Sequence, residues 1–412
     1  MTTHQRNDVV HARACTNAEE MRVAFASIWH YFGQLPPSEE RLKHFARILA
    51  PERVHAGFDG DDIVSGSASF PFELTIPGGR VRAAGVTVVG VLPTHRRRGY
   101  LNAMMRSLID AAHARHEPVA VLWATEDTIY GRFGYGMASM SAEIDVPREH
   151  TALFAERDLV ATTRLVPLAE AEALIAPIYA RVVKATPGMF ARTSAWWQDR
   201  LLVDPDWRRG NAGHLRCAVL WLGERPAAYA FYRVNQMFER GNSTGNVFVV
   251  EAMGDSAEAT LAIWRFLFGI DWLARVKSTL LPLDHPLLLS LKAPRRLNFV
   301  LRDGLWIRLI DLPAALRARG YATGGAVVIE VTDAFCPWNA GRWRISRDGV
   351  ERTETAADLA CDIASLGSVY LGGFSFADLA RALRVKELRE GALARADSLF
   401  HSDRKPWCPE IF

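Results

Sequence analysis

The 412 residues carry 49 Lys and Arg against 46 Asp and Glu, a formal charge of +3. So even a balance argues against a general nucleic-acid binder, which concentrates a basic excess on one face, and no apolar run approaches the roughly 18 residues of a membrane span. Hydrophobic residues make up 49%, enough to build cores for about two to four domains.

The opening "MTTHQRNDVVHARA" lacks the apolar stretch of a secretory signal. Five scattered cysteines (Cys15, Cys217, Cys336, Cys361, Cys408) form no CxxC pair, which points to reduced, buried thiols in a cytoplasmic protein. The histidines are dispersed, and with no HExxH spacing no metal site is expected. Residues 16–32 read as a helix with Met21, Ala24, Phe25 and Ile28 at helical spacing. Strand patterns flank "PGG" at 77–79, which predicts a hairpin. "VTVVGVLP" at 86–93 is a β-branched strand stopped by Pro93, residues 100–115 form an amphipathic helix, and "VAVLWA" at 119–124 is a buried strand expected beside 86–92. Residues 137–150 close this unit. A second unit then runs through helices 168–184 and 194–202, strands 215–222, 226–234 and 246–252, and helix 256–269, with a further strand near 305–311. The third has strands "AVVIEVTD" and "RWRISRDG", a "DLACDIASLGSVYLGG" segment and helices at 375–384 and 388–399. The two strand-then-helix halves suggest a duplicated fold.

Between strand 86–93 and helix 100–115 lies "PTHRRRGYL". A helix start leaves about four backbone N–H groups without partners and carries the positive end of the helix dipole. Gly99 would let an anion approach closely, and Arg96, Arg97 and Arg98 would add forked donors. The turn suits a diphosphate, and an edge of the preceding strand suits an amide-bearing arm such as pantetheine. A solvated basic turn over a surface helix explains the local pattern equally well. A dinucleotide fingerprint or P-loop is absent.

"VVGVLPTHRRRGYL" resembles the acetyl-CoA motif of GNAT-type N-acetyltransferases, with Arg96, Gly99 and Leu101 in the Arg-x-x-Gly-x-(small) places and Leu where Gly or Ala is commoner. "IYGRFGYGMAS" at 129–139 narrows the resemblance to the Eis-like (enhanced intracellular survival) acetyltransferases. "FCPWNAGRWRI", "DIASLGSVYLGG" and "LFHSDRKPWCPEIF" resemble that family's sterol-carrier-like C-terminal domain. The resemblance implies an α/β (α+β) architecture: a catalytic GNAT domain over 1–150, a degenerate GNAT-like domain over 151–302, and a sterol-carrier-like domain over 303–412. It implies acetyl transfer from acetyl-CoA to a small-molecule primary amine, aminoglycosides included, and a homohexamer built from two trimers. No nucleic-acid or membrane partner is implied, and no lipid cargo.

By the same resemblance, Val89, Gly90 and Val91 pair with pantetheine through their backbone. Arg96, Arg97, Arg98, Gly99, Tyr100 and Leu101 receive the diphosphate, and Thr125 lies near the cofactor. Tyr130 is the general acid, with Tyr135 structural. The α-carboxylate of Phe412 is the base, with Glu410 as a rival carboxylate. Pro406–Phe412, with two prolines and three bulky apolar residues, reads as docked. Trp29, His30, Tyr31 and Phe32 line the acceptor pocket, His30 as wall. Aminoglycoside-modifying relatives offer acids near there, and some carry a carboxylate where Ile411 stands, so an acid-poor, aromatic pocket is expected. The middle unit, lacking an Arg-x-x-Gly turn, is expected to bind no CoA. The alternative is a non-enzymatic acyl-CoA or lipid-binding regulator.

Overall fold

The computed structural model describes residues 10–154, 161–209, 212–322 and 325–412. The first unit opens with β1 (His11–Ala14) and α1 (Ala18–Tyr31), whose start is capped by Asn17 accepting from Glu20 N–H at 2.9 Å. Met21, Ala24, Phe25, Ile28 and Trp29 form its buried stripe, the i, i+3, i+4, i+7, i+8 pattern of an amphipathic helix. Next come α2 (Glu39–Ile48), β2 (Val54–Asp59), and the predicted hairpin as two long strands, β3 (Asp62–Ile76) and β4 (Gly79–Val91), joined with Ile76 opposite Gly79. After the arginine turn, α3 (Tyr100–Ala114) buries Met104, Met105, Leu108, Ile109 and Ala112. Then follow β5 (Val119–Trp123) and the single-turn α4 (Asp127–Tyr130).

The sheets do not follow the boundaries read from sequence. The first sheet runs β1-β2-β3-β4-β5, then Leu305–Leu309, then Gly136–Met137. Leu305–Leu309 pairs antiparallel with the whole of β5, from Leu305 opposite Trp123 to Leu309 opposite Val119. The second sheet has the order Val300–Asp303, Met140–Pro147, Arg275–Leu281, Asn246–Gly254, Arg225–Asn235, Arg216–Leu222, Ala161–Val166. Met140–Pro147, expected to close the first unit, therefore belongs to the second sheet, and the strand assigned to the third unit belongs to the first. Both sheets share one plan: four antiparallel strands, a parallel neighbour, then antiparallel strands. The second sheet is built from strands that follow one another in the chain, whereas the first takes Leu305–Leu309 from beyond them and seats it between β5 and Gly136–Met137, which satisfies the ladder along β5.

The third unit is a five-stranded sheet with helix Ile363–Tyr370 pressed onto the first. A Cβ on Gly136 would sit 1.8 Å from the Ala364 carbonyl oxygen, so only glycine lets that helix backbone approach. Arg308 and Asp333, both buried, pair at 2.6 Å across the same junction. All five cysteines are buried and free. No described helix is long and apolar enough to cross a membrane.

Gly136→Ala should lower stability by about 1–3 kcal/mol, the cost of overpacking a close contact. Gly131→Ala, where nothing lies within 4 Å, should change it by under about 1 kcal/mol. Urea unfolding midpoints of the two variants check the contrast.

Candidate active site

Parallel pairing of β4 with β5 covers only Ala83–Gly85 opposite Val119–Val121. Pairing of β4 with β3 continues to Val91 opposite Ser65. The last six residues of β4 thus keep one partner and part from the other. The parting starts at a bulge: the register with β3 shifts between Gly66 and Ala68, and Val88 sits there at φ +48°. A β-branched residue at positive φ is strained and persists where surrounding structure imposes it. The parted strands open a cavity of about 1210 Å³ lined by all of Val86–Val91, by Trp123–Glu126 and by the turn before α3.

At one end of this cavity, Gly99 caps α3 in the left-handed region (φ +97°), with no side chain bonded to the helix start. A Cβ there would meet only Val10 at 3.8 Å, so the glycine serves the backbone conformation and leaves the approach open. Arg96, Arg97, Gly99, Tyr100 and Leu101 line the cavity. Arg98 does not. Arg97 adopts φ +62°, the turn rotates, and Arg98 is aimed at Asp59 (3.7 Å), which His95 also holds at 2.9 Å. Three consecutive residues in a tight turn cannot all face one side. Val89, Gly90, Val91 and Thr125 are at the cavity wall. Gly90 has a further role, since a Cβ there would come within 3.1 Å of Ile28 Cα and Tyr31 Cβ. Its absence lets the end of α1 rest on β4.

That contact decides the acceptor-side residues. Tyr31 and Phe32 line the cavity; Trp29 and His30 do not. Trp29 continues the inward stripe of α1 and meets Phe25 and Phe45 edge-on at 5.4 and 5.7 Å. His30, 100° further round the helix, faces solvent. The expected acid-poor pocket is also corrected: Glu126, Glu143 and Asp303 all line it. Glu143 is paired with Arg302 at 2.6 Å, and Asp303 accepts from Trp306 Nε1 at 2.7 Å. Glu143 and Asp303 come from two paired strands of the second sheet, Met140–Pro147 and Val300–Asp303. No pattern around them in sequence marks them as site residues.

Tyr130 ends α4, is buried and lines the cavity. Burial first, then Tyr31 and Glu126, push its phenol up to about 12, so it stays protonated at neutral pH. Tyr135 meets it edge-on at 5.9 Å but is buried away from the cavity, with its hydroxyl unpaired.

The segment Pro406–Phe412 is docked, as predicted. Trp407 donates to the Leu280 carbonyl, Trp123 Nε1 to Glu410 O at 3.0 Å, and Arg200 to Ile411 O at 2.6 Å. The Phe412 ring packs edge-on against Phe72 (4.8 Å) and Phe190 (5.8 Å), and Thr87 Oγ1 donates to Phe412 O at 2.9 Å. Phe412 and Ile411 both line the cavity. Glu410, weighed above as a rival carboxylate, is not at the cavity wall. It accepts from Arg192 (2.8 Å) and Trp196 (3.0 Å). Arg192, fully buried, also forks onto Glu251 at 2.9 and 2.6 Å and lies over the Tyr179 ring at 4.0 Å. Burial opposes its charge, but Glu251, Tyr179 and Glu410 outweigh this and hold it protonated. Thr87, Trp123 and Arg192 are thus parts of the site that local pattern reading missed.

In the second unit, strand Asn246–Gly254 and helix Ala257–Phe268 stand where β4 and α3 stand in the first. Their junction is closed. Ser256 caps the helix by accepting from Ala259 N–H at 3.1 Å, and a Cβ on Gly254 would lie 2.3 Å from Thr260 N.

Residues 12–138 and 188–309 each match a family model described as an acetyltransferase (GNAT) domain, and 312–409 match a sterol carrier protein domain. The chain is 41% identical over 406 residues to an uncharacterized N-acetyltransferase of Streptomyces coelicolor, covering 96% of this chain and 98% of that protein. It is 35% identical over 357 residues to the N-acetyltransferase Eis of Mycobacterium tuberculosis, covering 84% of each. The crystal structure of Eis1 from Mycobacterium abscessus superposes with a TM-score of 0.85 at 33% identity, covering 97% of this chain and all of the other.

Arg192→Ala would leave Glu251 buried without its cation and Glu410 with only the longer contact to Arg200 at 3.5 Å, and should cost about 3–5 kcal/mol. Thermal unfolding reads the loss, and carboxypeptidase release of Phe412 should quicken as the terminal segment detaches.

Proposed function

Since this chain belongs to the Eis-like GNAT N-acetyltransferases, whose donor is acetyl-CoA, we propose that the parted strands hold that donor and that Tyr130 and Phe412 divide the proton work. One observation carries this reading: a single cavity is bordered by the parted edge of β4, the glycine-capped start of α3, the Tyr130 phenol and the end of the docked segment. The residues present fit such a donor. The free edge of Val86–Val91 offers backbone groups to a pantetheine arm. The uncapped helix start with Arg96 and Arg97 suits a diphosphate. Bound there, acetyl-CoA supplies a thioester carbonyl open to attack by an amine within a ternary complex.

The chain's own groups then have separate tasks. Backbone N–H of the 89–91 stretch polarises the carbonyl oxygen. Tyr130, kept neutral by its surroundings, protonates the departing sulfur. The Phe412 α-carboxylate takes the proton of the substrate ammonium. At an ordinary pKa of about 3.5 a carboxylate is a weak base for this task. Phe412 is buried and the Thr87 hydroxyl holds its oxygen in place; the role as base requires desolvation of the carboxylate, or a relay through water.

The acceptor is a small primary amine, and aminoglycosides are the expected class. Glu126, Glu143 and Asp303 offer carboxylates to an ammonium beside Arg132 and Arg302 in the same wall, and the Tyr31 and Phe32 rings offer it faces. The second unit serves as scaffold and pocket wall. The third unit presents the terminal segment. The assembly expected with this reading is a hexamer of two trimers, in the cytoplasm.

Tyr130→Phe should lower kcat by about 10²–10⁴-fold, the range for loss of a general acid, with acetyl-CoA affinity kept; wild-type turnover would remove Tyr130 from the chemistry. A peptide tag appended after Phe412 should abolish transfer, measured as thiol release with aminoglycosides, polyamines and lysine peptides. A fully active tagged enzyme would exclude the carboxylate as base.

A further inference from the structure

Tyr31 is the last residue of α1, and its hydroxyl donates to Glu126 Oε1 at 2.9 Å, from 95 positions away in the chain. Glu126 stands at the N-cap of α4, the single turn that ends in Tyr130. Its side chain caps nothing in that turn. Only its carbonyl serves there, accepting from Ile129 N–H at 3.3 Å. A four-residue helix has almost no stability of its own. Whatever fixes its first residue therefore fixes the direction of its last. On the opposite side, the Tyr31 ring lies under the Arg96 guanidinium at 5.0 Å. All four residues border the same cavity.

We propose that the Tyr31–Glu126 hydrogen bond is a strut across the cavity that positions Tyr130 for the reaction. Tyr31 and Glu126 are positioning residues, acting through the α4 turn on the phenol. The strut rests on the reading of Tyr130 as acid given above. Its first end is set by α1 resting on Gly90, where a Cβ would come within 3.1 Å of the helix. Its second end is the entry to the catalytic turn. It thus ties the placement of the acid to the same parted strand that forms the donor slot. A merely structural hydrogen bond at this partly exposed place would contribute little to stability and nothing to turnover. A strut does the reverse, because a displacement of about 1 Å in a reacting group can cost on the order of 100-fold in rate.

The test compares Tyr31→Phe, Glu126→Ala and Glu126→Gln in the full-length enzyme. Tyr31→Phe keeps the ring beneath Arg96 and removes only the hydroxyl. It should lower kcat by about 10-fold or more while KM for acetyl-CoA stays within about twofold. Glu126→Ala should do the same. Glu126→Gln, whose amide oxygen still accepts from the hydroxyl, should recover most of the loss. In a Tyr130→Phe background, Tyr31→Phe should add nothing. A second readout needs no activity: amide hydrogen exchange over 126–131 should quicken in Tyr31→Phe, with 100–114 unchanged. Wild-type kcat, or unaltered exchange, in Tyr31→Phe would overturn the strut, and so would a Gln variant as impaired as Ala. A wild-type enzyme that transfers acetyl to no amine would defeat the reading of the chemistry instead, and exchange would still decide the strut.

Discussion

The parting of β4 from β5 after Gly85 and Val121 is the constraint on which the rest of this molecule depends. A parallel pair that stayed together would leave no free strand edge and no cavity. The bulge at Val88 separates them by inserting one extra residue against β3, and the local strain is held by the ladder on that side. Everything with chemical character then gathers where the strands diverge: the start of α3, Thr125 and Glu126 at the end of β5, and the Tyr130 turn beyond it. The second unit repeats the topology, yet Ser256 closes its helix start. A duplicated plan thus carries an open junction once and a sealed one once.

The remaining wall is supplied from far along the chain. Insertion of Leu305–Leu309 between β5 and Gly136–Met137 ties the end of the second unit into the first sheet, and Met140–Pro147 and Val300–Asp303 of the second sheet carry Glu143, Arg302 and Asp303 to the cavity wall. The terminal segment then closes the floor. Its anchor is electrostatic and largely desolvated: Arg192 bridges Glu251 and Glu410, and Trp196 and Arg200 also hold Glu410. Such a cluster is costly to assemble and more costly to break, so it sets position more than it adds stability. It fixes Glu410 away from the cavity and so leaves Ile411 and Phe412 as the terminal residues that face it. The sterol-carrier-like unit is best understood as the mount for this segment, pressed onto the first sheet through Gly136 and the Arg308–Asp333 pair.

Local signals were read correctly where one segment decides the outcome. The stripe of α1, the "PGG" hairpin, α3 and the Gly99 bend follow from helical spacing, turn chemistry and the conformational freedom of one residue. The errors have a common origin. The family resemblance assigns the whole helix end, Trp29 to Phe32, to the acceptor pocket, but helical rotation sends Trp29 to the core and His30 to solvent. Arg98 was grouped with Arg96 and Arg97, but the turn aims it at Asp59. The acids of the pocket carry no such signal: no spacing around Glu126, Glu143 or Asp303 marks them, and Glu143 and Asp303 reach the cavity only through the pairing of the second sheet.

The amino-acid sequence by itself determined the element types, the glycine-bent arginine turn and the family motifs around Tyr130, because each is set by contacts within about a dozen residues. Only the tertiary structure decided which strand completes which sheet, which face each turn residue presents, and that Arg192 pins Glu410. Those outcomes depend on pairings between segments distant in the chain, from Asp59 with Arg98 to Arg192 with Glu410, whose choice is made by hydrogen bonding and charge satisfaction across the assembled core.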